Sequence, residues 1–256
     1  GRTAYLVLSG ADLGAVGLTV GVPVLPMLAA TAGAPGEAVT ELGPQPVSVE
    51  IKLDGARIQV HRHGGPGARV EVFSRTLADI TARVPELVDV VSGFQGGSLI
   101  LDGETLTLDE DGVPRPFQET MSRFGSSGAR DDLLRPWFFD VLHHDGVDLL
   151  DEPLSARREV LRAVAGAHGI PALETADPVA AEEFSRKALA AGHEGVLVKA
   201  LGSPYAAGRR GRQWLKVKPV HTFDLVVLAA EWGSGRRTGW LSNLHIGARD
   251  PSVPLG

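Results

Sequence analysis

Short runs of alternating residues, cut at intervals by turn-forming pairs, constrain this chain more than any other feature. "VSVEIKLDGARIQVHRHGG" (Val47–Gly65) followed by "ARVEVFSRT" reads as three strands, with turns at Asp54-Gly55 and at the Gly64–Gly67 run. "SLILDGETLTLDEDGVP" reads as a strand pair closed by Asp111-Gly112, and "RPWFFDVLHHDGVDLL" as a second pair turning at Asp145-Gly146. "GVLVKA", "QWLKVKP" and "TFDLVVLAAEW" return to strand. Helices are fewer. The spacing of Val84, Leu87, Val88 and Val91 predicts one over 80–91, and "SARREVLRAVAGAHG" and "PVAAEEFSRKALAAGHEG" are amphipathic helices, each ended by a glycine. Antiparallel strands with a few interspersed helices predict an α+β domain rather than a doubly wound sheet. No internal repeat is present.

Residues 1–22 are Gly-rich and too short to fold alone, so they read as the tail of something upstream. Residues 31–46 read as loop or short helix by their Gly, Pro and Ala content. From about Val220 the character changes to a short all-strand segment that stops too soon to close a sheet, the expected start of a second domain.

Composition closes several routes to function. The net charge of -6 argues against a chain that coats nucleic acid through its overall charge, so any such contact is local. Without cysteine there are no disulfides, thiolate zinc sites or cysteine nucleophiles, which fits a reducing cytoplasm. Asp12, four glycines and two prolines interrupt the apolar stretch from Ala4 to Ala30, so export is not expected. No apolar run is long enough for a membrane span.

Five lysines stand against twenty arginines, which makes each lysine informative. A guanidinium binds phosphate but stays protonated, whereas an amine can lose its proton and attack. Lys187 lies on an amphipathic helix beside Glu182 and Glu183, where a solvated pair suffices. In "EIKLDGAR", Glu50, Lys52 and Asp54 fall on one face of a regular strand: they either share a pocket wall or make an exposed face of alternating charge. In "RRGRQWLKVKP", Trp214, Lys216 and Lys218 alternate in the same way. That strand suits a polyphosphate or nucleic-acid backbone, or else a charged solvated edge.

Glu104, just after a turn, and Glu194, directly before a strand, have the oxygen donors a magnesium ion uses beside phosphates, though each alone is equally a surface acid. Phe138 and Phe139 fall on opposite strand faces, leaving one for the core and one that could stack on a base.

The segments "EIKLDGAR", "FSRT", "LDGETL", "FFDVL", "HEGVLVK" and "WLKVKP" occur in the order used by covalent nucleotidyltransferases. With "PFQETMSR" and "GRRGRQWLKVKP", the chain from Pro23 onward resembles ATP-dependent DNA ligases of the bacterial and archaeal type. The resemblance implies an ATP-grasp-like covalent nucleotidyltransferase domain of antiparallel sheets with flanking helices over 23–219. It also implies the start of an OB-fold β-barrel over 220–256 and a remnant of a helical DNA-binding domain or linker over 1–22.

It further implies ATP as the source of a covalent AMP on Lys52, magnesium, and nicked double-stranded DNA as partner. By the same resemblance Glu50 would accept from the adenine amino group, Asp54 and Arg57 would complete the lysine motif, and Arg57 would face the ribose and nick. Arg75 would contact the AMP phosphate or the DNA 5'-phosphate. Glu104 would hold the ribose or a metal, Phe139 would stack on adenine, and Glu194 would help place magnesium. Lys216, Lys218 and Arg210 would grip the α-phosphate, and Lys199 belongs to its motif with no role assigned. A monomer located with the cytoplasmic nucleoid is expected, lacking the rest of its DNA-gripping domains and sealing nicks poorly alone.

An RNA ligase or mRNA-capping guanylyltransferase shares Lys-x-Asp-Gly, and a catalytically silent DNA-binding module could keep the fold. Glu50, "PFQ" and "HHDGVDLLDEPLSARR" favour a DNA ligase over the first two. Amines kept at Lys52, Lys216 and Lys218 in so arginine-rich a chain argue against the third. An NAD-dependent ligase would carry a cysteine zinc site.

Overall fold

The computed structural model describes residues 17–109, 115, 118, 120, 134–219 and 223–248. In chain order these form β1 (Leu28–Thr31), α1 (Pro35–Glu41), β2 (Val47–Lys52), β3 (Ala56–Arg62), β4 (Val70–Ser74), α2 (Pro85–Ser92), β5 (Leu99–Thr107), β6 (Leu134–His144), β7 (Val147–Asp148), α3 (Leu154–Ala165), β8 (Ala172–Thr175), α4 (Pro178–Ala190), β9 (Gly195–Ala200), β10 (Arg210–Val217), β11 (Val226–Trp232) and β12 (Leu241–Gly247). The mixed α+β class stands. The Asp111-Gly112 turn and most of "PFQETMSR" lie outside the described residues.

Two five-stranded sheets organise the first of two compact units, which ends at Lys218. One has the order β1-β10-β9-β2-β8 and the other β4-β3-β5-β6-β7. All ladders are antiparallel except β1 against β10, which is parallel. The sequence reading passed over β1, a four-residue strand too short to show a period.

Each sheet uses its two-residue period to separate core from cleft. On β2, β9 and β10, Val47, Val49, Val196, Val198, Leu215 and Val217 join Ala38 and Val39 of α1 and Ala181 and Ala188 of α4 in one buried cluster. On the other sheet, Ile58, Val60, Leu99, Leu101 and Phe138 pack with Leu87 and Val91 of α2 and Leu161, Val164 and Ala165 of α3. A third cluster, around Met27, Ile100, Leu142, Tyr205 and Trp214, joins the two sheets.

Two local expectations are corrected. Asp54-Gly55 is no hairpin turn: β2 and β3 belong to different sheets, and this segment is the crossover between them. The helix expected over 80–91 is a 3-10 turn (Thr81–Arg83) followed by α2, because Pro85 opens a new helix and Val84 before it is held out of helical geometry at φ -134, ψ 54. The Asp145-Gly146 hairpin forms as expected, both residues having positive φ (50 and 84) as a tight turn requires.

The second unit begins at Pro219. Its described part is the β11–β12 antiparallel pair, in which Val226, Leu228, Trp232, Leu241, Leu244 and Ile246 are all exposed.

Candidate active site

A cavity of about 620 Å³ opens between the two sheets, a size suited to a mononucleotide. Alternation supplies its walls. Glu50 and Lys52 from β2, Leu197 and Lys199 from β9, and Trp214 and Lys216 from β10 line one side, each on the face opposite the buried valines. Arg57 from β3, Glu104 from β5 and Phe139 from β6 line the other, with Arg75 and Arg210 exposed at its margin. Phe138 is in the core and Phe139 in the cavity, as the alternation required.

Lys52 is the last residue of β2, and its ammonium forms an ion pair with Glu194 Oε2. Lys218 Nζ takes the other carboxylate oxygen at 3.1 Å. Burial alone would raise the Glu194 carboxyl, but hydrogen bonds and charge from Lys52 and Lys218 hold it below its ordinary value. Glu194 reaches this position because Gly195 follows it with φ +150. A Cβ there would lie 2.2 Å from the Val217 carbonyl oxygen, so only glycine lets β9 begin where it does.

Gly55 is needed for a similar reason. A Cβ on it would sit 2.3 Å from the Thr105 carbonyl oxygen, and its N–H donates to Glu104 Oε1 at 3.1 Å. Burial raises the Glu104 carboxyl to about 7, against the opposing pull of Lys52, the Gly55 N–H and Arg57.

Deeper in, Glu50 is 1% exposed and held on both carboxylate oxygens. Oε1 accepts from Ser48 Oγ (3.0 Å) and Arg158 Nη1 (2.8 Å), and Oε2 lies 2.5 Å from Lys199 Nζ. Lys199 is buried between two rings, 4.0 Å from the Trp214 centroid and 4.6 Å from that of Phe139. Burial holds its ammonium below the ordinary lysine pKa, with Glu50 and Asp140 offsetting part of the effect. The Arg57 guanidinium lies 5.0 Å from the Phe139 centroid.

Three predicted members, Asp54, Glu194 and Lys218, do not line the cavity, and Glu194 reaches it through its ion pair with Lys52. Asp54 is exposed, because the alternation that would have aligned it with Glu50 and Lys52 ends with β2. Leu53 enters a small cluster with Leu106 and Ile170, and the crossover puts Asp54 outside. Lys218 lies one residue past β10, half-exposed, and joins the site only through Glu194.

Sequence reasoning missed Arg158, Asp102 and Tyr205. Arg158 was legible: Leu154, Arg157, Arg158, Leu161 and Ala165 share the buried stripe of α3, and charged residues on a buried stripe require partners. Arg157 pairs with buried Asp140 (2.7 and 3.0 Å), while Arg158 reaches cavity-lining Glu50 from behind. Asp102 accepts two hydrogen bonds from Arg57 and one from the Tyr205 hydroxyl.

Residues 26–218 match the family model described as ATP dependent DNA ligase domain. The chain belongs to this family. A protein named Probable DNA ligase in Pseudarthrobacter chlorophenolicus is 64% identical over 258 residues, covering 100% of this chain and 50% of its own length. Another of that name from Rhodococcus jostii is 63% identical over 91% of this chain and 46% of its own length. The chain thus spans about half the length of the curated relatives it matches. Among solved structures, the ligase domain of M. tuberculosis LigD superposes with TM-score 0.61 at 30% identity, covering 76% of this chain and 60% of that one. A mycobacterial DNA ligase D complexed with ATP and MES gives 0.62 at 28% identity, covering 89% and 69%. The ligase resemblance read from the ordered segments is therefore correct at the level of the family, with residues 26–218 forming its ATP-dependent DNA ligase domain.

Proposed function

We propose that this domain adenylates itself at Lys52 and passes the AMP to the 5'-phosphate of nicked DNA, which is then sealed. The observation that carries this reading is the placement of Lys52: an amine at the mouth of a nucleotide-sized cavity, opposite Arg57 and Glu104 and beside Lys216.

The Lys52 amine, having shed its proton, forms a P–N bond to the α-phosphorus of ATP as the bond to the bridging oxygen breaks and pyrophosphate leaves. Glu194 Oε2 already accepts the Lys52 hydrogen bond and holds the ammonium until then. An oxygen of the DNA 5'-phosphate next attacks the same phosphorus, breaking the P–N bond and restoring the amine. The 3'-hydroxyl finally attacks the 5'-phosphate and AMP departs. Such transfers ask a protein chiefly for positioning and for positive charge around the phosphoryl oxygens.

Lys216, Lys218 and Arg210 supply that charge at the α-phosphate, and Arg75 supplies it at the margin. Phe139 offers a face for the adenine, Glu50 an acceptor for its amino group, and Arg57 a donor for the ribose and nick side. Lys199 holds Glu50. Asp54, exposed in the crossover after Lys52, completes the lysine motif from outside the cavity lining.

Glu104 and Glu194 would hold a magnesium ion. Both offer oxygen, yet among the described residues no group of three or more potential ligands gathers, which fits an ion held by one or two carboxylates, waters and substrate phosphate. When bound, magnesium neutralises phosphate charge.

The β11–β12 pair is the start of an OB-fold, a role consistent with its exposed apolar residues. Efficient sealing calls for the rest of that barrel and a helical DNA-binding domain. We assign the protein to the cytoplasm, at the nucleoid, as a monomer; no helix among the described residues is long and apolar enough to cross a membrane.

Intact-mass analysis with magnesium and ATP is the test. The chain is expected to gain one AMP from ATP and none from GTP, to lose it to nicked DNA in preference to nicked RNA, and to gain nothing as Lys52→Ala. An adduct that persists in Lys52→Ala, or no adduct even with the full-length protein, overturns the reading.

A further inference from the structure

The Arg57 guanidinium is built into a chain of buried polar groups that reaches well behind the cavity wall. Nε donates to Asp102 Oδ1 at 3.0 Å and Nη2 to Oδ2 at 2.6 Å. Asp102, 1% exposed, is held in turn by the Tyr205 hydroxyl, which donates to Oδ2 at 2.5 Å. That hydroxyl accepts from the Met27 backbone N–H at 3.0 Å and stands 3.5 Å from Arg57 Nη2.

The four groups come from separate parts of the fold. Arg57 and Asp102 belong to neighbouring strands of one sheet, Met27 leads directly into β1 of the other, and Tyr205 lies in the connection between β9 and β10. Tyr205 is 4% exposed, and its ring packs edge-on against cavity-lining Trp214 with centroids 5.8 Å apart. A phenol placed there fills core as well as any phenylalanine would. Its hydroxyl has a separate task, since a buried carboxylate needs every available donor.

Asp102 occupies Nε and Nη2, and Nη1 makes no hydrogen bond among the described residues. A planar guanidinium gripped along one edge presents the opposite edge in a defined direction. The group presented here belongs to a residue lining the cavity.

We propose that Tyr205 is a positioning residue for nucleotide binding: its hydroxyl orients Asp102, Asp102 orients Arg57, and the unpartnered Nη1 of Arg57 is thereby aimed at the ribose-phosphate part of the nucleotide. The inference rests on the reading that this cavity takes an adenine nucleotide. Removing the hydroxyl leaves Asp102 paired with Arg57 but free to turn, so Arg57 loses its aim rather than its partner.

The experiment is a binding cycle with AMP as the probe, because AMP has no pyrophosphate to lose and cannot adenylate Lys52. Calorimetry on AMP-free chain compares wild type, Tyr205→Phe, Arg57→Ala and the double variant, with thermal unfolding recorded for each. Tyr205→Phe is expected to weaken AMP about tenfold, the worth of one hydrogen bond to a charged group. In the Arg57→Ala background it should change affinity by less than about twofold, the non-additivity expected of residues acting through one another. Should Tyr205→Phe fail to fold, Asp102→Asn replaces it in the same cycle.

Equal losses in both backgrounds would show that Tyr205 acts as packing and would overturn the inference, as would an unchanged affinity in Tyr205→Phe. If the wild-type chain binds no AMP, the inference falls together with the nucleotide reading. Adduct formation with ATP separates the two: AMP binding that obeys the cycle in a chain that never forms lysyl-AMP sinks the adenylation reading and leaves the role of Tyr205 standing.

Discussion

Lys52 and Glu194 form an ion pair where β2 ends and β9 is about to begin, and the Glu194 N–H also donates to the Lys52 carbonyl oxygen at 3.2 Å. The nucleophile and its carboxylate partner are therefore tied through both backbone and side chain, 142 residues apart in sequence.

Lys52→Arg keeps a cation opposite Glu194 and should fold normally, with an unfolding temperature close to wild type. A guanidinium stays protonated, so no AMP adduct is expected. Mass spectrometry with ATP checks this, and an adduct on another lysine of Lys52→Arg would assign the chemistry to the wrong amine.

Glu194→Gln removes the shared counter-charge from Lys52 and Lys218. The Lys52 ammonium then has no carboxylate to hold it in place at the cavity wall. Single-turnover adenylation at saturating ATP should slow roughly tenfold in Glu194→Gln, the worth of a hydrogen bond to a charged group, and an unchanged rate would mean the pair does not position Lys52.

Glu104 links the site to stability. Its folded pKa of about 7 exceeds the ordinary 4.5, so the folded state holds a proton that the unfolded chain has released. Stability from this group is fully present below about pH 4.5 and is lost as pH rises through about 7. Denaturant unfolding between pH 5 and 8 should show that decline in wild type, and Glu104→Gln should flatten it and be the more stable protein at pH 8. Equal slopes in the two proteins would refute the assignment.

Arg62 tests a purely structural device. It is 0% exposed and donates to the carbonyl oxygens of Val91, Phe94, Gln95, Gly96 and Gly97, closing the end of α2 and the loop beyond it. Arg62→Met fills the space but strands these acceptors, at a cost of roughly 2–4 kcal/mol in chemical denaturation. Because Arg62 lies outside the cavity lining, AMP affinity of the folded Arg62→Met protein should match wild type.

Much of the site was written in local pattern. The period of two on β2 and β10 places Glu50 with Lys52 and Trp214 with Lys216, and the same rule separates Phe138 from Phe139. Where the pattern depended on a strand continuing, it failed: Asp54 was aligned with Lys52 on the assumption of one regular strand, but the chain changes sheets between them. Arg158 was readable from its place on the buried stripe of α3. No sequence signal connects Tyr205 to Asp102, because a hydrogen bond across 103 residues leaves no trace in local spacing.

The sequence by itself therefore determined the α+β class, most of the strands, the lysine that must be an amine, and the family, since all of these rest on residue type, short-range period or linear order. Only the tertiary structure decided which charges face one another. It put Glu194 against Lys52, enclosed Lys199 beside Glu50, buried Asp102 behind Arg57 and left Asp54 outside. The physical reason is that ion pairing and desolvation depend on distance through space, and that distance is set when two sheets, joined at a glycine too crowded for any Cβ, close on the same cavity.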